Sequence, residues 1–302
     1  MLRALAAVLL AATPAWGGGV LDIVTTSTDL KALVEAVGGE RVSVESLAPA
    51  LHEPHTVDVR PGQLARLKSA ALLVRVGLDH EPWLGRVLAT VNDPRFAPGG
   101  PADLDVSRGI DLLQAETPRI KSDQGAHVHG FGNPHYWLDP ANARPMAQTI
   151  LDRLTLLSPG AREAFTRNRE RFLERLDARM GRWNEVLAPY RGARVVVYHD
   201  SWPYFARRFG LVIVAAVEPI PGVPPSPGSL ASLTARMKDA RVPVLIVEPS
   251  SNRSVANRVA SSSGARIVTL ITSVGGDPDA SGYVELFELD VRRLADAFAA
   301  AR

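Results

Sequence analysis

Three histidines stand at positions where imidazole nitrogen could bind a metal ion: His55, His135 and His199. His55 follows a short β-branched run that ends near Ala48, His135 lies in the loop "GNPHYWLDP", and His199 ends the apolar run "ARVVVYH". Loops that leave strand ends carry ligand sites in α/β proteins. Zinc in nitrogen and oxygen surroundings favours imidazole and is commonly held by three or four ligands. Each histidine alone is more typical of a surface or core position, and no local motif joins them, but together they favour a metal site.

Composition restricts the kinds of site that the chain can build. It has 302 residues, of which 46% are hydrophobic and 22% charged, values typical of a folded globular protein. It contains no cysteine, which excludes disulfides, thiolate metal sites, cysteine nucleophiles and a cysteine-linked lipid anchor. The formal net charge of +2 does not indicate a nucleic-acid surface, so we expect no nucleic-acid partner.

The first residues predict a secretory leader. Met1-Leu2-Arg3 is followed by an apolar run over 4–12 and by small residues at Ala15 and Gly17. This is the pattern of a cleavable signal, and it is too short to span a membrane. A buried first helix is the alternative. We expect a leader over 1–17 and an exported, soluble mature protein.

The elements that must position the histidines form two groups. Short β-branched runs alternate with helical patterns before position 80 and again after position 190, which predicts βα units and mainly parallel sheets. Between the groups, apolar residues recur at helical spacing from Ala161 to Ala188. A helix of that length either bridges two lobes or packs within one of them. We predict an α/β fold of two lobes, 18–158 and 191–302, joined by one long linking helix over 159–190.

Four regions of the chain resemble the zinc/manganese substrate-binding proteins of ABC transporters, the TroA/ZnuA-like family. They are "EPHTVDVRPGQLARLKSAALLVRVGLDHEPWL", "NPHYWLDPANARPMAQTI", "VVVYHDSWPYFARRFGL" and "LIVEPSSNRSVANRVASSSGARIVTL". The resemblance implies two βα lobes joined by a long helix, with a single metal in the cleft. His55, His135 and His199 match the family's first, second and third ligands. Histidine at the third position is similar to the zinc-binding members, because manganese-binding members typically have glutamate there.

The fourth ligand is where this chain departs from the family. Members commonly have an aspartate after the last core strand, whereas this chain has Thr272, whose neutral hydroxyl is a poor zinc ligand. Asp277 follows Gly275-Gly276, which could turn the loop back toward the cleft. We therefore take Asp277 as the candidate fourth ligand, with a water molecule as the alternative.

Other polar residues have supporting roles at most in this interpretation. Asn133 and Gln63 stand where the family has acids, and both could orient a ligand without binding the metal. Glu248 could orient a ligand, hold a charge in the cleft or cap its strand. A hydrogen bond to a ligating imidazole is the alternative to plain surface exposure for three further acids: Asp58, Glu81 and Asp200.

The segment "KSDQGAHVHGFG" carries two further histidines, His127 and His129. Zinc-binding members of the family often have a longer histidine- and acid-rich insertion there, thought to collect metal. Weak coordination on a mobile segment could pass zinc inward. A flexible loop without a role is the alternative.

The function that these residues imply is a periplasmic, high-affinity zinc-binding protein. It would deliver Zn²⁺ to an ABC-type permease without performing chemistry, as a monomer and with a periplasmic zinc chaperone as one source of the ion. Manganese or iron transport is the alternative. An exported zinc hydrolase is a weaker one, because it needs a general base near an open coordination position, for which Glu53 or Asp200 would have to serve.

Overall fold

Two parallel sheets organise the molecule. The computed structural model describes residues 19–50, 57–115, 132–219 and 223–301. The first sheet has the order β2-β1-β3-β4, and the second has the order β6-β5-β7-β8. All strand pairs described are parallel, so the strand ends that follow the chain direction meet at one edge of each sheet. The strands are β1 Leu21–Thr25, β2 Val42–Ser46, β3 Leu72–Arg75, β4 Asp103–Asp105, β5 Arg194–His199, β6 Val212–Glu218, β7 Val244–Val247 and β8 Arg266–Thr269.

Helices connect the strands and cover the sheets, as parallel pairing requires. Their starts follow ordinary capping rules. The Ser27 hydroxyl accepts a hydrogen bond from Leu30 N at the start of α1, and the Asn252 side chain accepts from Ser254 N at the start of α8. The helices are α1 Thr28–Gly38, α2 Pro61–Ser69, α3 Leu84–Val91, α4 Ala143–Leu157, α5 Arg162–Leu187, α6 Pro203–Phe209, α7 Pro227–Asp239, α8 Arg253–Ser263 and α9 Tyr283–Ala299.

The long linking helix is present as α5. It has 26 residues and is therefore about 39 Å long. A 3-10 turn, Pro159–Ala161, leads into it. Its apolar stripe is buried against α1, α4 and α9: Phe165, Phe172, Leu173, Leu176, Trp183 and Leu187. The α/β prediction of two parallel-sheet lobes with a long linking helix is confirmed.

The apolar core continues from one lobe into the other. One buried cluster includes Leu33 and Ile150 of the first lobe, Leu176 of α5, and Val197 and Phe287 of the second. Smaller clusters fill the outer face of each sheet. Helix α9, the last of the chain, contacts both α5 and α1. The two lobes therefore share packed side chains as well as the linking helix.

Within these described ranges no helix combines the length and the hydrophobicity that a membrane crossing needs. The predicted leader over 1–17 lies outside the described residues.

Candidate metal centre

His135 lies in the segment that precedes the 3-10 turn Tyr136–Leu138, and its side chain is buried. Its backbone N–H donates to Asn133 Oδ1 at 3.0 Å, and its ring Nδ1 lies 3.0 Å from the same oxygen. The Asn133 Nδ2 group donates to the carbonyl of Asp200 at 2.8 Å, which identifies the amide oxygen as the acceptor for the ring. An oxygen that can only accept requires the proton on His135 Nδ1. The lone pair is then on Nε2, the form in which a neutral histidine binds a metal.

His199 is the last residue of β5, at the edge of the second sheet that faces the first lobe. Its ring centroid lies 5.6 Å from that of His135, with the planes at 79°. Beside it, β6 ends at Glu218, and the two residues are partners in the parallel register. Sheet pairing therefore brings a carboxylate next to an imidazole, although 19 positions separate the two residues in the chain.

The two histidines share a cavity of about 180 Å³, which we call the cleft cavity. Its lining comes from both lobes and includes His135, Trp137, His199, Glu218, Glu248 and Thr272. Trp137 Nε1 donates to the carbonyl of Thr272 at 2.9 Å, so one wall of the cavity joins the two lobes directly. Imidazole, carboxylate and hydroxyl groups line this cavity, and these are donors for a cation in the absence of cysteine.

A third histidine of the described residues, His80, lies beside His135, and the sequence interpretation did not select it. Its ring is buried, 5.5 Å from the His135 ring and 4.9 Å from the Trp137 ring. The turn before it, Gly77-Leu78-Asp79, has positive φ at all three residues. His80 leaves the end of β3 just as His199 ends β5, so the strand-end rule applied to His55 and His199 would have found it.

His80 and Glu81 line a second, smaller cavity together with Trp137, Asp29 and Ser273. The Glu81 carboxylate accepts hydrogen bonds from Val76 N at 2.6 Å and Gly77 N at 3.1 Å, which supports the left-handed turn. Burial raises the pKa of Glu81 to about 7, and burial raises that of Asp29 to about 7 as well. Glu81 thus has a structural role in the turn that presents His80.

Glu248 directly follows strand β7, and it is buried in the wall of the cleft cavity. Its Oε1 accepts from Trp202 Nε1 at 2.7 Å, and its Oε2 accepts from the Ser251 hydroxyl at 2.8 Å. These two bonds tie the segment that follows His199 to the end of β7. The Glu248 carboxylate therefore fixes these two segments relative to each other at the wall of the cavity.

The remaining supporting candidates have mixed outcomes. Asp200 connects to the first lobe through its carbonyl and through Oδ2, which accepts from Gln114 Nε2 at 3.1 Å. Gln63 caps α2, and its side-chain amide donates to the carbonyls of Ser46 and Leu47. Asp58 is exposed.

Asp277 does not join His135 and His199. The turn after Gly275, which has φ +81°, directs its carboxylate to Arg293, whose Nη2 lies 2.7 Å from Oδ2. The N–H of Asp279 donates to the other carboxylate oxygen at 3.0 Å. That hydrogen bond and Arg293 lower the pKa of Asp277. Asp277 lines a groove with Arg293 and Asp296, whereas the cleft cavity contains Thr272.

Three of the predicted histidines, His55, His127 and His129, lie outside the described residues. Within residues 19–50, 57–115, 132–219 and 223–301, no three histidine, aspartate or glutamate side chains are arranged closely enough to hold a metal ion. The described part of the chain thus supplies His135 and His199 as one facing pair.

Comparison with known proteins gives this pair a context. Residues 23–297 match the model of the ZnuA family, described as zinc-uptake complex component A, periplasmic. The chain belongs to this family.

Relatives of the chain include proteins named for zinc and for manganese. The chain is 28% identical to the high-affinity zinc uptake system protein ZnuA of Yersinia pestis, over 87% of this chain and 84% of that protein. It is 25% identical to the zinc-binding lipoprotein AdcA of Streptococcus pneumoniae, over 91% of this chain, and spans only 55% of AdcA. It is 26% identical to the manganese-binding lipoprotein MntA of Halalkalibacterium halodurans, over 90% of this chain and 86% of that protein.

Solved structures share the fold over nearly the whole chain. A crystal structure of ZnuA superposes with a TM-score of 0.75 at 26% identity, covering 92% of this chain and 99% of that one. The protein FpvC from Pseudomonas aeruginosa, in complex with Mn²⁺, superposes with a TM-score of 0.79 at 25% identity, covering 94% and 100%. The ZnuA structure and the Mn²⁺-bound FpvC structure therefore both share the fold of this chain.

Proposed function

We propose that the protein is an extracytoplasmic carrier that binds one Zn²⁺ ion in the cleft cavity and delivers it to an ABC-type permease. The observation that carries this proposal is the facing pair His135 and His199, one from each lobe, whose ring centroids lie 5.6 Å apart. The pair occurs in a chain that belongs to the zinc-uptake family. A metal bound between them would connect the lobes. Neutral imidazole is a preferred zinc donor, and the Asn133 hydrogen bond favours the metal-binding tautomer of His135.

The proposed ligand set is His55, His135 and His199. His55 supplies the third imidazole in this proposal, on the basis of the family resemblance. Asp277 is not carried into the set, because its carboxylate is paired with Arg293 in a different groove.

The test is metal analysis of the purified mature protein together with competition titration against a chelator of known affinity. One zinc per chain is expected. Replacing His135 or His199 with alanine should weaken zinc binding by about 100-fold or more, because the loss of a ligand exceeds the 10- to 100-fold effect of losing an outer hydrogen bond. Undiminished affinity in both variants would overturn the proposal. Far-ultraviolet circular dichroism of the metal-free variants checks that they fold.

Manganese is the second candidate, because MntA is named as manganese-binding and FpvC was solved with Mn²⁺. Manganese prefers oxygen donors, whereas two described imidazoles face each other here. Titration of metal-free protein with Mn²⁺ and Zn²⁺ separately, followed by thermal unfolding, discriminates them. We expect zinc to raise the unfolding temperature at far lower free metal concentration.

Transport without chemistry agrees with the family, whose described role is zinc uptake. We propose a periplasmic location after removal of the leader, an ABC permease as partner and a monomeric carrier. A zinc chaperone as donor is a further part of the proposal.

The His127 and His129 loop is proposed to collect zinc and speed its entry. Deleting residues 122–130 should then slow loading from a weak chelate in stopped-flow measurements and leave the equilibrium affinity unchanged. Equal loading rates in the wild type and the deletion variant would show that the loop has no role in zinc loading. A large loss of affinity would make one of its histidines a ligand.

A further inference from the structure

We propose that Tyr204 and Arg208 of α6 are positioning residues for the metal site, because they fix the segment that carries His135 against the segment that carries His199. This inference rests on the proposed zinc-binding function and concerns only the two histidines of the facing pair. Helix α6 begins at Pro203, four residues after His199, and it contacts the 3-10 turn that follows His135. The position of α6 therefore relates one histidine to the other.

One face of α6 holds the backbone on both sides of His135. Tyr204 and Arg208 are four positions apart in the helix, so their side chains leave the same face. The Tyr204 hydroxyl donates to the carbonyl of Asn133, two residues before His135, at 2.8 Å. The Arg208 guanidinium binds the carboxylate of Asp139, four residues after His135. The histidine therefore lies between two points that are attached to the same helix.

The ion pair between Arg208 and Asp139 consists of two hydrogen bonds. Arg208 Nε lies 2.6 Å from Asp139 Oδ1, and Arg208 Nη2 lies 3.0 Å from Asp139 Oδ2. The Asp139 side chain is fully buried, and its Oδ1 also accepts from Ala141 N at 2.9 Å at the start of the turn Pro140–Asn142. A bidentate pair of this kind fixes orientation as well as distance, which a point charge does not.

Tyr204 provides the second point of contact. Its side chain is buried, and its hydroxyl accepts from Leu113 N at 3.0 Å while it donates to the Asn133 carbonyl. The Leu113 carbonyl in turn accepts from Asn133 N at 2.9 Å, so the hydroxyl bridges two backbone segments that are already paired. These hydrogen bonds fix the backbone two residues before His135 relative to α6.

This arrangement has a consequence for metal binding. A metal that binds both imidazoles needs the nitrogen atoms of His135 and His199 at a fixed separation. If the two segments moved independently, binding would have to restrict that motion, and the cost would reduce the affinity. Contacts that hold ligands in the binding geometry remove this cost, and such outer contacts typically contribute 10- to 100-fold to metal affinity. Tyr204 and Arg208 thus act on the affinity through the two histidines.

The experiment measures the zinc affinity of Arg208→Lys by chelator competition and the absorption spectrum of its Co²⁺-loaded form. Lysine keeps the positive charge and loses the bidentate geometry. We expect the affinity to fall by about 10-fold and the visible Co²⁺ bands to change. The matched control is Arg207→Lys on the same helix. Arg207 pairs at 2.7 Å with the exposed carboxylate of Asp111, which lies outside the His135 segment, so the control should alter neither readout.

Tyr204→Phe tests the second contact with a smaller change. It removes one hydroxyl and keeps the buried ring, so it also serves as the test if Arg208→Lys does not fold. We expect its zinc affinity to fall by about 10-fold as well. Circular dichroism and thermal unfolding of the metal-free proteins establish that each variant is folded before it is titrated.

Two results would overturn the proposal. A role in folding alone would lower the unfolding temperature of the metal-free variants and leave the zinc affinity and the Co²⁺ spectrum of the folded proteins unchanged. An affinity loss of the same size in Arg207→Lys would show that any change on α6 has this effect. A wild-type protein that binds no zinc would instead overturn the proposed function itself.

Discussion

At the scale of single residues, Asn133 determines which nitrogen of His135 can bind a metal. Its amide donates to the carbonyl of Asp200 and accepts from His135 Nδ1, so the orientation of the amide and the tautomer of the ring are linked. A hydrogen bond of this kind also restricts the rotation of the imidazole. Such outer contacts typically contribute 10- to 100-fold to metal affinity.

The first prediction follows from that hydrogen bond. Asn133→Ala should weaken zinc binding by about 10-fold, because His135 loses the acceptor that holds its Nδ1 proton. Asn133→Asp keeps the acceptor for His135 Nδ1 but loses the donor to the Asp200 carbonyl, so its affinity should lie between those of Asn133→Ala and wild type. Chelator competition on the two variants measures the difference. Equal affinities in Asn133→Ala and wild type would show that the tautomer is set by another contact.

At the scale of elements, α5 stabilises the fold through its buried stripe. Leu176 is 1% exposed within the cluster that spans both lobes, whereas Leu156, on α4, is 72% exposed. Removing side-chain carbon from a packed core leaves a cavity, while removing it from the surface does not.

We therefore predict that Leu176→Ala lowers the free energy of unfolding by about 2–5 kcal/mol. The matched surface variant Leu156→Ala should change it by less than about 0.5 kcal/mol. Urea unfolding of the metal-free proteins provides both values. Similar small effects in the two variants would mean that α5 is not packed as a bridge.

At the scale of the whole molecule, hydrogen bonds and packing restrain the motion of the lobes. Val274 N donates to Asp29 Oδ1 at 2.9 Å, and Tyr283 donates to the carbonyl of Trp137, so the second lobe is tied to the first at several points. A continuous core and a long helix also resist the wide hinge motion that loop linkers allow.

Zinc should therefore cause only a small closure. We predict that the radius of gyration from small-angle scattering changes by less than about 1 Å when zinc is added, because rigid elements connect the lobes. Thermal stability should rise, since zinc binds the folded state in preference to the unfolded one. A large compaction in the scattering curve would contradict the rigid connection.

Asp29 makes the connection between the lobes sensitive to pH. Burial raises its pKa from 3.8 to about 7. Between these two pH values the folded protein holds a proton on Asp29 that the unfolded chain has already released. The contribution of this protonation to the free energy of unfolding is complete below pH 3.8 and is lost as the pH rises through about 7.

The matching variant is Asp29→Asn, which keeps an acceptor for Val274 N and cannot ionise. Its stability relative to wild type should increase between pH 4 and pH 8, by about 4 kcal/mol if the whole shift is expressed. Urea unfolding at several pH values, with a chelator present, measures the difference. A difference that does not vary with pH would show that Asp29 titrates normally.

The sequence by itself determined the features that depend on local pattern. Alternating β-branched runs and helical patterns predicted two parallel-sheet lobes, and apolar spacing predicted a long helix between them, which α5 forms over Arg162–Leu187. Positions that leave or flank regular elements selected His135 and His199, which the fold brings together. These features were predictable because periodicity and strand ends are properties of neighbouring residues.

The tertiary structure decided which distant residues share the cavity. Glu218 lies beside His199 through the parallel register of β5 and β6, and His80 lies against His135 because β3 ends at the same sheet edge that faces the second lobe. Asp277 was chosen from the sequence because a diglycine precedes it, but Arg293 on α9 draws its carboxylate away. No spacing rule contains these contacts, since they arise from strand register and from a salt bridge formed only after the elements pack.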